Sequence, residues 1–114
     1  MIYVKFIKKD GKYYYFESTG HSGYDEHGKD IVCAAVSVLA QTLVNSIIEL
    51  STIDPVVEVD EEKGYLKCEI PKDKSTLENI QIQSAFKVIK VGIEGISEVY
   101  DDYVKLLEEE VQWC

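Results

Sequence analysis

The stretch GHSGYDEHGKDIVCAAVSVLAQ, from Gly20 to Gln41, decides both the fold and the chemistry of this chain. Its first half is polar and interrupted by glycines, and its second half is the most apolar helix candidate in the sequence. A histidine, His21, opens the polar half, and a cysteine, Cys33, lies just inside the predicted helix. The remaining sequence is typical of a scaffold that holds these two groups at a fixed separation.

The predicted helix begins after Asp30 and continues to about Leu50 or Ser51. Aspartate is a good N-cap, because its carboxylate accepts hydrogen bonds from the free N–H groups of the first turn. Cys33 then falls at the third helical position, where those N–H groups and the helix dipole favour an anion such as a thiolate. Cys33 is therefore a candidate nucleophile, and the alternative is a small apolar side chain in a buried helix.

The segment between the histidine and the cysteine is predicted to be a functional loop. Glycine permits positive φ angles, and a loop of this length in a small domain is usually functional or disordered. We expect the loop to be anchored at the helix and mobile in its middle. It comprises Ser22, Gly23, Tyr24, Asp25, Glu26, His27, Gly28 and Lys29.

A cysteine and a histidine are the minimum for thiol nucleophilic catalysis, because the imidazole takes the thiol proton and the thiolate attacks a carbonyl. We expect His21 and Cys33 to meet, provided that the strand before the loop ends beside the helix start. The N–H groups of the first helical turn are candidate donors to a developing oxyanion. His27 is a rival base, although its place in the middle of the loop is typical of a solvated residue. Asp30 could orient the imidazole or only cap the helix.

The segments that flank this stretch predict strands. Two alternating, aromatic-rich segments joined by an Asp-Gly turn predict a β-hairpin over Ile2–Ser18, because both central turn positions accept positive φ angles. Val56–Val59 and Tyr65–Ile70 predict a second hairpin, with Cys68 facing the core. One face of the first hairpin is expected to pack on the core.

A second helix is predicted where apolar residues recur at three- and four-residue steps from Ile82 to Val99. Its start is open between a capping box at Ser75 and an N-cap at Asn79. Gly92 and Gly95 are costly inside a helix, so they predict close approach of a neighbouring element such as the first helix.

The order of elements is ββαββα, and residues 103–111 are predicted to add a short final strand, with a fraying helix as the alternative. We predict one domain over residues 1–114, of the α+β class, with two layers. Two long helices pack against a mainly antiparallel sheet. Because the first helix is apolar on almost every side and the chain is short, we also predict a homodimer that packs these helices together.

Composition limits the classes of function. The apolar fraction of 46 % excludes a disordered chain. The net charge of −9 argues against direct nucleic-acid binding and is compatible with a basic protein partner, with solubility alone as the alternative. Polar residues interrupt the longest apolar run, and no signal peptide is recognised, so we predict no membrane span and a cytoplasmic location. Three cysteines without CxxC spacing predict neither a disulfide framework nor a metal site, and no cofactor is predicted.

The central stretch resembles the signature of the ribosomal-processing cysteine protease family, Prp. The matching segments are Gly20-His21-Ser22 and the run GKDIVCAAVS over residues 28–37. Chain length and the order of strands and helices also fit that family. The family pattern has an alanine where this sequence has Ser22, a difference that leaves the histidine and the cysteine in place. His27 lies outside the motif and adds a second possible base.

This resemblance implies a homodimeric cytosolic cysteine endopeptidase that removes a short N-terminal extension from a protein of the bacterial large ribosomal subunit. It implies that His21 and Cys33 are catalytic, that Asp30 is the motif aspartate, and that residues 22–29 form a mobile loop. The loop is expected to order over the peptide and bring the two catalytic groups together. Two other classes stay open: a non-enzymatic assembly module that binds a ribosomal protein through the same groove, and a thiol-dependent hydrolase with another substrate.

Overall fold

The computed structural model describes residues 1–112, which form a five-stranded sheet with two long helices on one face. The strands are β1 (Ile2–Lys9), β2 (Lys12–Thr19), β3 (Val56–Asp60), β4 (Tyr65–Glu69) and β5 (Val104–Val111), and the helices are α1 (Ile31–Leu50), α2 (Lys74–Leu77) and α3 (Ile80–Val99). The strand order is β3-β4-β2-β1-β5, and among these described strands the β1–β5 pair is parallel and the other three pairs are antiparallel. The predicted α+β class and the mainly antiparallel sheet are confirmed. Cys114 lies outside the described residues.

The β1–β2 hairpin turns where the sequence predicts. Asp10 has a φ of 50° and Gly11 a φ of 78°, which are the positive angles that a tight hairpin turn requires. The two strands pair Phe6 with Phe16, and their rings meet edge to face at 5.2 Å between centroids. Because side chains alternate along a strand, these aromatic rings lie on the buried face and cover the core under the helices.

The second long helix starts at the alternative N-cap. Asn79 Oδ1 accepts a hydrogen bond from Ile82 N at 3.1 Å, and α3 begins directly after Asn79. Ser75 instead lies inside α2, and its hydroxyl donates to the N-cap of that helix, Asp73. The capping box at Ser75 is therefore wrong, because Asp73 takes the capping position two residues earlier.

Close packing of α1 against α3 explains one of the two helical glycines. A Cβ on Gly92 would lie 2.9 Å from Leu39 Cδ1, so the leucine side chain packs directly against the glycine and would have to shift to admit a larger residue. Gly95 has no heavy atom within 4 Å of such a Cβ, and the predicted close approach there is wrong. The buried stripe of α1, which faces the sheet and α3, comprises Val32, Val36, Ala40, Leu43 and Ile47.

The outer side of the helix layer is apolar and exposed in the single chain. Val38 on α1 is 62 % exposed and Val91 on α3 is 68 % exposed. Within one chain, α1 is therefore buried along one stripe only, and much of the rest of its apolar surface is uncovered. Among residues 1–112, α1 is the one helix that is long and apolar enough to cross a membrane. The core helix of a soluble protein can have the same length and composition.

Candidate active site

Asp30 caps α1 as the sequence predicts. Its Oδ1 accepts hydrogen bonds from Val32 N at 3.0 Å and from Cys33 N at 2.9 Å. Cys33 therefore occupies the third helical position. The anion that these N–H groups bind is the Asp30 carboxylate, so they are not open to a substrate oxyanion or to the thiolate. The prediction that they act as oxyanion donors is wrong for these two groups.

The second carboxylate oxygen of Asp30 fastens the loop to the helix. Oδ2 accepts hydrogen bonds from the Ser22 hydroxyl, from Tyr24 N at 3.1 Å and from Asp25 N at 3.3 Å. Burial alone would raise the pKa of Asp30, but these hydrogen bonds and that from Cys33 N outweigh it and lower the pKa to about 2. Asp30 is thus a carboxylate at neutral pH. It organises the helix start and the loop, and its hydrogen bonds do not include His21.

The imidazole of His21 is oriented by the β3–β4 turn. His21 Nε2 lies 2.8 Å from the backbone carbonyl oxygen of Glu62. Because a carbonyl can only accept, Nε2 is the donor, and in the neutral imidazole Nδ1 then keeps the lone pair that a general base needs. The turn is tied to the loop start by a hydrogen bond from Gly20 N to Lys63 O at 3.2 Å.

This orienting group is a backbone atom, so sequence reasoning missed it. The one signal in the sequence is Gly64, which has a φ of 59° and lies against Gly20 and the ring of His21. A Cβ at this position would overlap the Gly20 carbonyl oxygen and lie 3.1 Å from His21 Cε1. Close approach of the turn to the histidine therefore requires glycine there.

Cys33 is held by Ser22. Cys33 Sγ accepts a hydrogen bond from Ser22 N at 3.3 Å, and Sγ lies 3.5 Å from Ser22 Oγ. Within residues 1–112 no hydrogen bond joins the side chains of His21 and Cys33. The imidazole is hydrogen-bonded to the Glu62 carbonyl, and the thiol is hydrogen-bonded to Ser22 in the loop.

Both candidate residues nevertheless line one cavity of about 790 Å³. The cavity lies between the loop, the N-terminal half of α1 and the β3–β4 hairpin. Four acidic side chains line it, and among the described residues that line it there is no lysine or arginine. The acidic residues at its wall are Asp25, Asp30, Asp60 and Glu61.

The loop itself is exposed for most of its length but is attached at several points. The ring of Tyr24 packs edge-on against Tyr100 at 5.6 Å and against Tyr103 at 5.2 Å between centroids. Glu26 and Lys29 form an exposed ion pair at 2.8 Å. His27 is exposed and also lines the cavity, so the structure places both histidines near the groove.

The other described cysteine is a core residue. Cys68 is 0 % exposed, and burial raises the pKa of its thiol to about 12. A thiol of this kind stays protonated at neutral pH and is a poor nucleophile. The prediction that Cys68 faces the core is confirmed. In the part of the chain that the structure describes, no group of three or more histidine, cysteine, aspartate or glutamate side chains is placed to hold a metal ion.

Comparison with known proteins identifies the family of this chain. The family described as cysteine protease Prp matches residues 1–105. The ribosomal processing cysteine protease Prp of Bacillus subtilis (strain 168) is 32 % identical over 91 residues, which cover 80 % of this chain and 81 % of that protein. The Prp of Staphylococcus aureus (strain Mu50) is 27 % identical over 100 residues, which cover 88 % of this chain and 91 % of that protein.

Solved structures give the same result. The crystal structure of the S. aureus ribosomal processing protease Prp with a covalently linked product peptide has a TM-score of 0.85 at 28 % identity, covering 95 % of this chain and 99 % of that one. A Streptococcus mutans protein has a TM-score of 0.85 at 32 % identity, covering 97 % and 96 % of the two chains. The family match over nearly the whole chain agrees with the shared fold and with the sequence motif. The chain therefore belongs to the Prp family of cysteine proteases.

Proposed function

We propose that this chain removes a short N-terminal extension from a large-subunit ribosomal protein in the bacterial cytoplasm, with Cys33 as nucleophile and His21 as general base. The observation that carries this proposal is that one cavity is lined by both His21 and Cys33. The relatives support the substrate class, because proteins similar over most of the chain are named ribosomal processing proteases. A similar S. aureus protease was crystallised with a covalently linked product peptide, which supports attack by a protein side chain.

The proposed reaction starts with movement of the loop over residues 22–29. In the resting arrangement His21 Nδ1 is free to accept a proton, and the Cys33 thiol is hydrogen-bonded to Ser22. When the loop closes on a peptide, the thiol proton passes to Nδ1, and the thiolate attacks the scissile carbonyl. The imidazolium then gives this proton to the leaving amine. Water, deprotonated by the same histidine, hydrolyses the thioester and releases the extension.

The charge of the groove supports a basic substrate. Asp25, Asp60 and Glu61 stand at the cavity wall, and the chain carries a net charge of −9. Ribosomal proteins contact the RNA phosphate backbone and are therefore generally rich in lysine and arginine. An acidic rim would raise the rate of encounter with such a protein, an effect that weakens as ionic strength rises.

A cleavage assay with matched substrates tests the proposed function. The substrates are the host's large-subunit ribosomal protein with an N-terminal extension and the same protein without it. We expect the extended protein to lose its extension at one bond, and the shorter protein to stay intact, as read by mass spectrometry. Binding of the extended protein without any cleavage would instead support the assembly module. Cleavage of unrelated peptides alone would support a hydrolase with another substrate.

We also propose that the active form is a homodimer that covers the apolar helix face. The exposed valines on α1 and α3 are the feature that supports it, because such a surface is unfavourable in water. We expect sedimentation at micromolar concentration to give twice the chain mass of 13.0 kDa. Val38→Lys should lower the dimer fraction, whereas Val56→Lys, at a similarly exposed position on strand β3, should not. A monomeric mass for the unmodified chain would exclude the dimer.

A further inference from the structure

The hydrogen bonds around Ser22 form a chain that ends at the candidate nucleophile. The Ser22 hydroxyl donates to Asp30 Oδ2, and its oxygen accepts from Tyr24 N at 3.2 Å. A hydroxyl has one proton and two acceptor positions. Its proton is committed to a carboxylate, so only a lone pair is left to face Cys33 Sγ at 3.5 Å.

This geometry suits a protonated thiol better than a thiolate. The S–H of Cys33 can donate to Ser22 Oγ, which completes both acceptor positions of the hydroxyl. A thiolate at the same place would face an oxygen lone pair and would keep only the hydrogen bond from Ser22 N. The N–H groups of Val32 and Cys33 offer no compensation, because the Asp30 carboxylate occupies them.

We propose that Ser22 is a positioning residue that keeps Cys33 a neutral thiol in the resting enzyme, through a chain from Cys33 S–H to Ser22 Oγ and from the Ser22 hydroxyl to Asp30. Ser22 is 4 % exposed and belongs to the loop that the proposed reaction moves. When the loop moves, Ser22 Oγ no longer accepts from the Cys33 thiol, and the thiol proton passes to His21 Nδ1. The enzyme gains its nucleophile when peptide is in place, which limits unwanted reactions of a free thiolate. This inference rests on Cys33 being the nucleophile of the proposed function.

The pH dependence of Cys33 alkylation by iodoacetamide tests the inference without any substrate. Rates are measured for the wild type and for Ser22→Ala by mass spectrometry of the peptide that contains Cys33. Only the thiolate is alkylated. We therefore expect Ser22→Ala to reach half of its plateau rate at lower pH and to react about 3- to 10-fold faster on the acidic limb, the range set by losing one hydrogen bond to the thiol.

The shape of the profile separates this effect from simple exposure. A loosened loop would raise the plateau at high pH, whereas loss of the acceptor shifts the midpoint. The other titratable groups that face the cavity are present in both proteins, and of these Asp30 loses the hydrogen bond from the Ser22 hydroxyl in the variant. They are His21, Asp25, His27 and Asp30 before and at the helix start, and Asp60, Glu61 and Tyr65 on the β3–β4 hairpin. Ser84→Ala, at an exposed position on α3, is the control and should leave the profile unchanged.

Circular dichroism checks that Ser22→Ala is folded, and Ser22→Gly provides a second variant without the hydroxyl. An unshifted midpoint, or one at higher pH, in either folded variant would overturn the role of Ser22. The result is independent of the cleavage assay. A shifted midpoint in a protein that cleaves no ribosomal protein would leave the role of Ser22 standing and refute the proposed function. Cleavage with an unshifted midpoint would do the reverse.

Discussion

Replacing Cys33 by alanine is expected to lower cleavage of the extended ribosomal protein by at least about 10³-fold, because the variant lacks the thiol that forms the thioester. His21→Ala should lower it by about 10²- to 10⁴-fold, the usual contribution of a general base. Both effects should appear in the rate of turnover with saturating substrate. Binding of the extended protein should persist in both variants, since neither side chain is needed to fill the groove.

His27→Ala is the matched control for the histidine. His27 also lines the cavity, but its side chain is exposed in the middle of the loop. Within residues 1–112, no hydrogen bond orients its ring as the Glu62 carbonyl orients His21. We expect this variant to keep most of its activity. If instead His27→Ala lost cleavage and His21→Ala retained it, the base would have to be reassigned to His27. Undiminished cleavage by Cys33→Ala would refute the nucleophile.

Gly64→Ala is expected to damage both stability and catalysis. The added Cβ would overlap the Gly20 carbonyl oxygen and press on the ring of His21, and the residue has a positive φ. We expect the free energy of unfolding to fall by about 2 to 4 kcal/mol from overpacking and backbone strain. Because the turn that carries the Glu62 carbonyl must shift, turnover should fall by a further factor of about 10 to 100 where the variant is still folded.

Gly11→Ala separates the contact from the backbone strain. Gly11 also has a positive φ, of 78°, but a Cβ there meets no heavy atom within 4 Å. This control should lose only about 1 kcal/mol of stability in urea unfolding, and its turnover should be unchanged. Equal losses of stability and activity in the two variants would show that the β3–β4 turn does not position His21.

Much of this architecture could be predicted from local sequence. The Asp-Gly turn, the alternation in β1 and β2, and the aspartate before an apolar run each depend on neighbouring residues only, and the structure confirms them. The start of α3 is ambiguous in the sequence because several possible cap residues follow one another. In the structure Asp73 caps the short helix α2, which contains Ser75, and Asn79 caps α3. The parallel pairing of β5 with β1 depends on where α3 returns the chain, which no local pattern specifies.

In the site, too, some features follow from local sequence and others depend on tertiary packing. The pattern of His21, Asp30 and Cys33 could be recognised from residue type and spacing, and the structure places all three around one cavity. The partners of these groups could not be predicted, because they come from distant backbone. The Glu62 carbonyl reaches His21 from another hairpin, and Asp30 uses up the N–H groups that appeared open to an oxyanion. Such contacts depend on tertiary packing and carry no side-chain signature.

The covalent intermediate is the most direct test of the central claim that Cys33 attacks the bond that frees the ribosomal protein. Wild-type protein is mixed with the extended ribosomal protein, quenched in acid during the first turnover and analysed by peptide-mapped mass spectrometry. We predict that the extension is attached as a thioester to the peptide that contains Cys33 and is absent from the peptide that contains Cys68. Cleavage at the same bond with no adduct on Cys33, or with an adduct on another residue, would contradict this mechanism.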